Sequence, residues 1–128
     1  MLLIDTSILI EYFRKPNKEA TFFYELAGNH SKIAISAITK YEIMVGNSPK
    51  QVEFWQLLLS SLEIISFDEI VADEAAAIQK ELKKKSKLIG FADIAIAATA
   101  RINDLDIATL NEKHFNRIEN LKLLVRTK

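Results

Sequence analysis

The chain has 128 residues, and its 17 basic and 17 acidic side chains give a formal net charge of zero. This length suits one hydrophobic core, so we expect a single domain over residues 1–128 with no second catalytic unit. Zero net charge excludes any argument from overall charge for binding to nucleic acid or to anionic membranes. The absence of cysteine excludes disulfides, thiolate metal sites and thiol nucleophiles.

The first third of the chain begins with an apolar run over residues 1–4, which predicts a short strand. Asp5, Thr6 and Ser7 follow directly, and their side chains are typical of a helix start, so we expect a helix over 8–14. The apolar start does not resemble a signal peptide, because it contains acids and lacks a basic leader. No apolar run approaches the roughly 20 residues that span a bilayer, so we expect a cytoplasmic protein without a membrane partner.

Two further segments give clear helix signals. Thr39 and Glu42 have the spacing of a capping box, which predicts a helix beginning at Thr39. Residues 92–102 are dense in alanine, whose small side chain permits close packing, so we expect a buried helix there. The other predicted elements are helices over 18–27, 51–61, 68–85 and 111–118, and strands over 33–36, 62–66, 106–110 and 122–125.

Short apolar strands that alternate with helices indicate a parallel sheet covered on both faces, because parallel neighbours need crossover connections. We therefore predict an α/β protein with three layers, in which helices flank a central parallel sheet of about five strands. Ligands bind at the carboxyl ends of such strands, especially where the strand order reverses. Residues directly after strands and in the first turns of helices are therefore the candidates for a functional site.

Three carboxylates occupy such positions. Asp5 follows the first predicted strand, and Glu42 and Asp93 lie in the first turns of predicted helices. Carboxylates that lie close together repel unless a cation neutralises them, and oxygen ligands suit Mg²⁺ or Mn²⁺. Each acid alone is better explained as a structural partner of free N–H groups at a helix start.

The context of these acids resembles the motifs of the PIN-domain family, in family order. The segments are Leu-Ile-Asp-Thr-Ser over 3–7, Ser-Ala-Ile-Thr-Lys-Tyr-Glu over 36–42, and Gly-Phe-Ala-Asp followed by an alanine-rich helix over 90–100. The resemblance covers essentially the whole chain, and its length is similar to that of VapC toxins of VapBC toxin–antitoxin systems. The resemblance implies a Mg²⁺- or Mn²⁺-dependent endoribonuclease, with a VapB-like antitoxin as partner and a homodimer as the assembly.

The resemblance also implies individual roles. Asp5, Glu42 and Asp93 would bind the metal and act in catalysis, and Thr6 would support the site. The segment 108–115 resembles a fourth motif, but Asn111 stands where many members have an aspartate. A neutral amide weakens binding of a second metal, and Asn111 is therefore expected only to support the site.

Two residues near Asn111 leave alternatives open. Glu112 is a possible replacement for the missing acid, although an acid at a helix start is also explained by the helix dipole. His114 is expected to be a packing or surface residue rather than a general base, because a metal mechanism does not require one.

Local charge and apolar patches suggest partners. Arg14, Lys15 and Lys84 are candidate phosphate contacts, and the alternative is that the basic run over 80–87 is simply a solvated helix face. The aromatic and leucine-rich stretches over 22–24 and 54–59 are explained mainly by core packing. Any apolar remainder would suit a homodimer face or a groove for an antitoxin helix.

Other classes fit less well. A phosphatase of the haloacid-dehalogenase type needs a second acid two residues after its first aspartate, where this chain has Ser7. A receiver domain needs a phospho-accepting aspartate after its third strand, and only Asp68 is near. The alternative from a different class is a non-catalytic PIN-like module that binds RNA or protein, which the missing acid at Asn111 leaves open.

Overall fold

The structure is a computed structural model that describes residues 1–126, so residues 127 and 128 of the predicted domain lie outside the described residues. The strands in this range are β1 (Leu2–Ile4), β2 (Ile33–Ser36), β3 (Glu63–Ile65), β4 (Asp106–Ala108) and β5 (Leu123–Leu124). The α-helices are α1 (Thr6–Arg14), α2 (Phe22–Asn29), α3 (Ala37–Gly46), α4 (Val52–Ser60), α5 (Glu69–Lys84), α6 (Phe91–Asn103) and α7 (Glu112–Phe115).

All five strands are parallel, in the order β3-β2-β1-β4-β5. The chain builds outward from β1 through β2 to β3 and then crosses to the other side of β1 to form β4 and β5. The order therefore reverses between β1 and β4, which is the position where parallel sheets leave a crevice at their carboxyl ends. Asp5 follows β1 directly, so it lies at this crevice.

Alternation along β1 divides the core into two halves. Leu3 packs on one face of the sheet with residues of α5 and α6, whereas Leu2 and Ile4 pack on the other with residues of α1 to α4. Successive side chains of a strand point to opposite faces, so a strand that is buried throughout requires a helix layer on each side. The prediction of a three-layer α/β fold with a five-stranded parallel sheet is confirmed.

The alanine-rich segment is the most enclosed helix of the described chain. Every residue over 94–100 of α6 is buried. Four of these seven residues are alanine, and the small side chains allow the helix to lie close to the sheet and to α5. This close packing fixes the position of the first turn of α6, which carries Asp93.

Two predicted helix starts are wrong. Residues 18–27 do not form one helix, because a 3₁₀ turn over Lys18–Ala20 ends at Thr21, whose hydroxyl accepts from the Tyr24 N–H at 3.3 Å and starts α2. α3 begins at Ala37 rather than Thr39, because the Ser36 hydroxyl accepts from the Ile38 N–H at 3.0 Å. The capping box at Thr39 is therefore absent.

The aromatic stretches divide between core and surface as expected. Phe22 and Trp55 are buried, whereas Tyr24 is 52% exposed and Leu57 is 68% exposed. No helix within residues 1–126 is both long and apolar enough to cross a lipid bilayer.

Candidate active site

Asp5 is a buried carboxylate at the start of α1, with 1% of its surface exposed. Its Oδ1 accepts from the Ser7 hydroxyl at 2.5 Å and from the Ile8 N–H at 3.4 Å, and its Oδ2 accepts from the Thr109 hydroxyl at 2.5 Å. A carboxylate has about four acceptor positions, so these bonds leave one in reserve. The side chain thus caps the helix and remains able to bind a further partner.

The pKa of the Asp5 carboxyl is raised above its ordinary value, chiefly by burial. The hydrogen bonds from Ser7, Thr109 and the Ile8 N–H oppose the rise, and the negative charge of Asp93 adds to it. The Asp93 contribution means that the two carboxylates are near enough to repel each other. A cation between them would relieve the repulsion.

The loop after β4 forms one wall of the site and is tied to Asp5. The Thr109 hydroxyl that donates to Asp5 also accepts from the Asn111 N–H at 2.8 Å, and the Ser7 hydroxyl accepts from the Leu110 N–H at 3.2 Å. These bonds join the ends of β1 and β4 across the crevice where the strand order reverses. They fix the backbone that carries Asn111.

Glu42 lies in α3 and belongs to a small polar network. The Thr6 hydroxyl donates to Glu42 Oε1 at 2.7 Å and lies 3.1 Å from the hydroxyl oxygen of Thr39. Glu42 therefore faces the start of α1 rather than the start of its own helix, which is the physical reason why the capping-box interpretation is wrong.

Asp93 lies in the first turn of α6, and its side chain is 20% exposed. Its Oδ2 is 2.8 Å from Nδ1 of His114, a residue of α7. The contact joins residues 21 positions apart and leaves Oδ1 of Asp93 without a partner among the described side chains.

The three carboxylates line one cleft of about 420 Å³ at the carboxyl edge of the sheet. The full lining is Asp5, Thr6, Ser7, Ile10, Glu11, Arg14, Glu42, Asp93 and Asn111. The structure thus brings the three predicted ligands and both predicted supporting residues to one place.

The three acids do not converge as tightly as the sequence suggests. Within residues 1–126 no group of three Asp, Glu, His or Cys side chains is arranged to hold a metal ion as it stands. Each acid instead has its own hydrogen-bond donors, namely Ser7 and Thr109 for Asp5, Thr6 for Glu42 and His114 for Asp93. The chemistry of the donor set still suits Mg²⁺, which needs only one or two carboxylates and completes its shell with water and phosphate oxygens.

The three predicted phosphate contacts have different positions. Arg14 lines the cleft and forms no ion pair with any other described side chain. Lys15 Nζ lies 3.3 Å from Glu11 Oε2, and Lys84 ends α5 without lining the cleft. Only Arg14 therefore combines proximity to the carboxylates with an available charge.

Two residues that contact the carboxylates were not predicted to do so. Thr109 was hidden by the predicted strand over 106–110, whereas β4 ends at Ala108 and leaves Thr109 as the first residue beyond it. A hydroxyl residue directly after a strand indicates a candidate site residue, but this signal requires the correct end of the strand. His114 lies at the surface as expected, with its side chain 46% exposed, but no sequence spacing links it to Asp93, and the contact between them was not predicted.

The fold and the site define a class of protein, in which a parallel sheet with helices on both faces carries a carboxylate-lined cleft where the strand order reverses. A family model, PIN domain, matches residues 2–121. The chain is 38% identical over 128 residues to ribonuclease VapC1 of Methanocaldococcus jannaschii, a match that covers 99% of this chain and 88% of that relative.

Solved structures agree with the sequence comparison. A DNA-bound VapBC from Salmonella typhimurium matches with a TM-score of 0.87 and 27% identity, covering 98% of both chains. VapBC2 from Rickettsia felis, bound to a promoter DNA fragment, matches with a TM-score of 0.80 and 30% identity, again covering 98% of both chains. The chain belongs to the PIN-domain family and, within it, to the VapC ribonucleases, which confirms the resemblance seen in the sequence.

Proposed function

We propose that this protein is a Mg²⁺- or Mn²⁺-dependent endoribonuclease that acts as the toxin of a type II toxin–antitoxin system. The observation that carries the proposal is the cleft that Asp5, Glu42 and Asp93 line together, at the carboxyl edge of the sheet where the strand order reverses. Kinship with VapC ribonucleases supports RNA as the substrate.

Asp5 and Asp93 would hold the ion, because both carboxylates line the cleft and the Oδ1 of Asp93 has no partner among the described side chains. A bound divalent cation supplies an acidified water and offsets negative charge on the phosphoryl oxygens. Glu42, which the Thr6 hydroxyl orients, would serve as a further ligand or accept the proton of the attacking water. The Asn111 amide, which lines the same cleft, would support the site through a neutral oxygen.

The RNA backbone would enter beside Arg14, the cation of the cleft lining. Its guanidinium can donate two hydrogen bonds to one phosphate, which holds the scissile group against the carboxylates. Ile10 and Glu11 complete this side of the cleft.

The proposed partners are a VapB-like antitoxin and a second copy of the chain, both in the cytoplasm. The VapBC complexes with the same fold support the antitoxin. Exposed apolar side chains such as Tyr41 (65%) and Val45 (68%) on α3 support a protein interface. Light scattering that returned only the 14.5 kDa mass of one chain would contradict the dimer.

The substitutions Asp5→Asn and Asp93→Asn test the proposal, because each keeps the shape of the side chain and removes its charge. Loss of a residue that supports a metal ligand typically costs about 10–100-fold in activity. The rate of RNA cleavage with Mn²⁺ should fall by at least this factor in each variant. Mn²⁺ at about 100 times its dissociation constant should raise the free energy of unfolding of the parent chain by about 2.7 kcal/mol. It should not stabilise either variant. Asp73→Asn, an exposed carboxylate on α5, is the matched control.

Three outcomes are distinguishable. Loss of cleavage and of Mn²⁺ stabilisation in both variants, with normal unfolding curves, supports the metal-dependent ribonuclease. A fully active double variant contradicts the assignment of these carboxylates. A folded parent chain that neither binds Mn²⁺ nor cleaves RNA supports the alternative of a non-catalytic PIN-like module, which the missing acid at Asn111 leaves open.

A further inference from the structure

His114 lies outside the cleft and contacts a carboxylate inside it. Asp93 is part of the cleft lining and His114 is not, yet the His114 Nδ1 lies 2.8 Å from Asp93 Oδ2. An ionised carboxylate only accepts hydrogen bonds, so the hydrogen of this bond must be on Nδ1. The imidazole therefore donates to Asp93 Oδ2 from a residue that is not part of the cleft lining.

From this geometry we propose that His114 is a positioning residue, which holds the Asp93 carboxylate in the orientation that binds the metal of the reaction. The inference rests on the proposed function. Asp93 Oδ2 is occupied by the imidazole, which leaves Oδ1 as the oxygen for an ion. Partners of this kind orient metal ligands, and their loss typically costs about 10–100-fold in metal affinity or activity.

Both ends of the contact are anchored by the fold. Asp93 directly precedes the buried stretch of α6, and the neighbour of His114, Phe115, is completely buried. The His114 N–H donates to the Asn111 carbonyl at 3.1 Å, which ties the histidine to the loop that lines the cleft. The imidazole thus stands at a fixed place relative to Asp93, unlike a surface ion pair between two long, mobile side chains.

Each of the three carboxylates accepts a hydrogen bond from at least one neighbouring side chain. Thr109 donates to Asp5 Oδ2 from outside the cleft lining, as His114 does to Asp93, and Thr6 donates to Glu42. Thr109 is a hydroxyl donor that follows β4 directly and Thr6 is the first residue of α1, whereas His114 reaches its partner from α7. Glu42 and Asp93 thus each have one such donor, whereas Asp5 has two, because the Ser7 hydroxyl also donates to it.

The experiment compares His114→Ala, His114→Asn and His114→Gln. The asparagine amide nitrogen replaces Nδ1, whereas the glutamine amide nitrogen extends to the place of Nε2. Mn²⁺ alone is the probe, and electron paramagnetic resonance of free Mn²⁺ gives the dissociation constant without RNA. His30→Ala is the matched control, because the Nδ1 of that second histidine contacts the Leu26 carbonyl at 3.1 Å, remote in sequence from the site.

We expect His114→Ala and His114→Gln to bind Mn²⁺ about 10–100-fold more weakly, and His114→Asn to recover most of the loss. His30→Ala should bind as the parent chain does. Thermal unfolding without metal should be unchanged in the His114 variants, because this side chain is 46% exposed. Single-turnover cleavage at saturating Mn²⁺ should follow the same order.

The inference is overturned if His114→Ala binds Mn²⁺ as well as or better than the parent chain. It is also overturned if asparagine fails to rescue, or if glutamine rescues equally. A parent chain that does not bind Mn²⁺ would instead overturn the proposed function, so the two failures are distinguishable.

Discussion

Glu11 is an acidic residue of the cleft lining whose contacts are structural. Its Oε1 accepts from the Phe22 N–H at 2.9 Å and from the Arg126 guanidinium, and Lys15 lies 3.3 Å from Oε2. Burial would raise the pKa of this carboxyl, but the hydrogen bonds from Arg126, the Phe22 N–H and Lys15 outweigh it, and the pKa is lowered. Glu11 thus joins α1, the start of α2 and the end of the described chain.

Glu11→Gln should lower the free energy of unfolding at pH 7 by about 1.5 kcal/mol, the low end for hydrogen bonds to a charged group. Because the pKa of Glu11 is lower in the folded protein, its ionised carboxylate stabilises the folded state at pH values above the ordinary pKa of 4.5. This stabilisation is lost as the pH falls through the pKa of the folded state. The difference between variant and parent should therefore shrink below pH 4.5. Urea unfolding at several pH values, without metal, measures it.

Glu25→Gln on α2 is the control for Glu11→Gln, because this glutamate is exposed. Its substitution should change stability by less than about 0.5 kcal/mol. A Glu11→Gln effect that persists unchanged in acid would contradict the assigned role of the charge.

The candidate site residues were predicted from their positions directly after strands or in the first turns of helices. That rule placed Asp5, Glu42 and Asp93 at one edge, and the cleft lining agrees. The rule says nothing of which side chains contact each other, so the donors Thr109 and His114 were missed. Their contacts span 104 and 21 positions, and depend on side-chain directions that only the packed molecule fixes.

The helix α6 shows how small side chains position a site. Ala97 is completely buried in the core between α6 and its neighbours, so an added side chain has no space there. Ala97→Leu should destabilise the protein by about 1–3 kcal/mol through overpacking. It should also weaken Mn²⁺ binding if the shifted helix displaces Asp93, and urea unfolding with Mn²⁺ titration checks both effects.

Ala76→Leu is the matched control for Ala97→Leu, because Ala76 is exposed on α5. Leucine is nearly as good a helix former as alanine, so the control should stay within about 0.5 kcal/mol of the parent chain. Equal stability of the two variants would contradict the tight packing of α6.

The sequence predicted the elements better than their ends. All five strands and the buried helix were predicted, because apolar runs and alanine density follow from burial. The errors came from rival capping side chains. Ser36 and Thr21 accept from backbone N–H groups at the true helix starts, and sequence alone does not rank one hydroxyl above another as a cap.

The charge of the whole molecule is zero, so RNA affinity must come from where the charges lie. A plot of the logarithm of RNA affinity against the logarithm of salt concentration has a slope that reports the number of phosphate contacts. Arg14→Ala should make this slope shallower by about 0.7, the value for one lost contact on a single strand. Fluorescence anisotropy with labelled RNA in EDTA, over a range of KCl concentrations, measures this slope without cleavage.

Lys84→Ala removes an exposed cation that does not line the cleft, and it should leave the slope unchanged. Equal slopes for Arg14→Ala and the parent chain would contradict the proposed RNA path. A change confined to Lys84→Ala would move the path to the basic end of α5.

The strand order is a property of the whole molecule that the sequence did not predict. Alternating strands and helices indicate a parallel sheet, but several strand orders satisfy the same alternation. The observed order places β1 in the centre with β2 and β4 as its neighbours. This arrangement decides that Asp5 meets the loop after β4.

The bond from Thr109 to Asp5 also has a consequence for the chain during its synthesis. When the first hundred residues have left the ribosome, all three carboxylates are already made, but β4, Thr109 and His114 are still missing. Domains generally fold as units once their parts are available. The cleft is therefore complete only when almost the entire polypeptide has emerged from the ribosome.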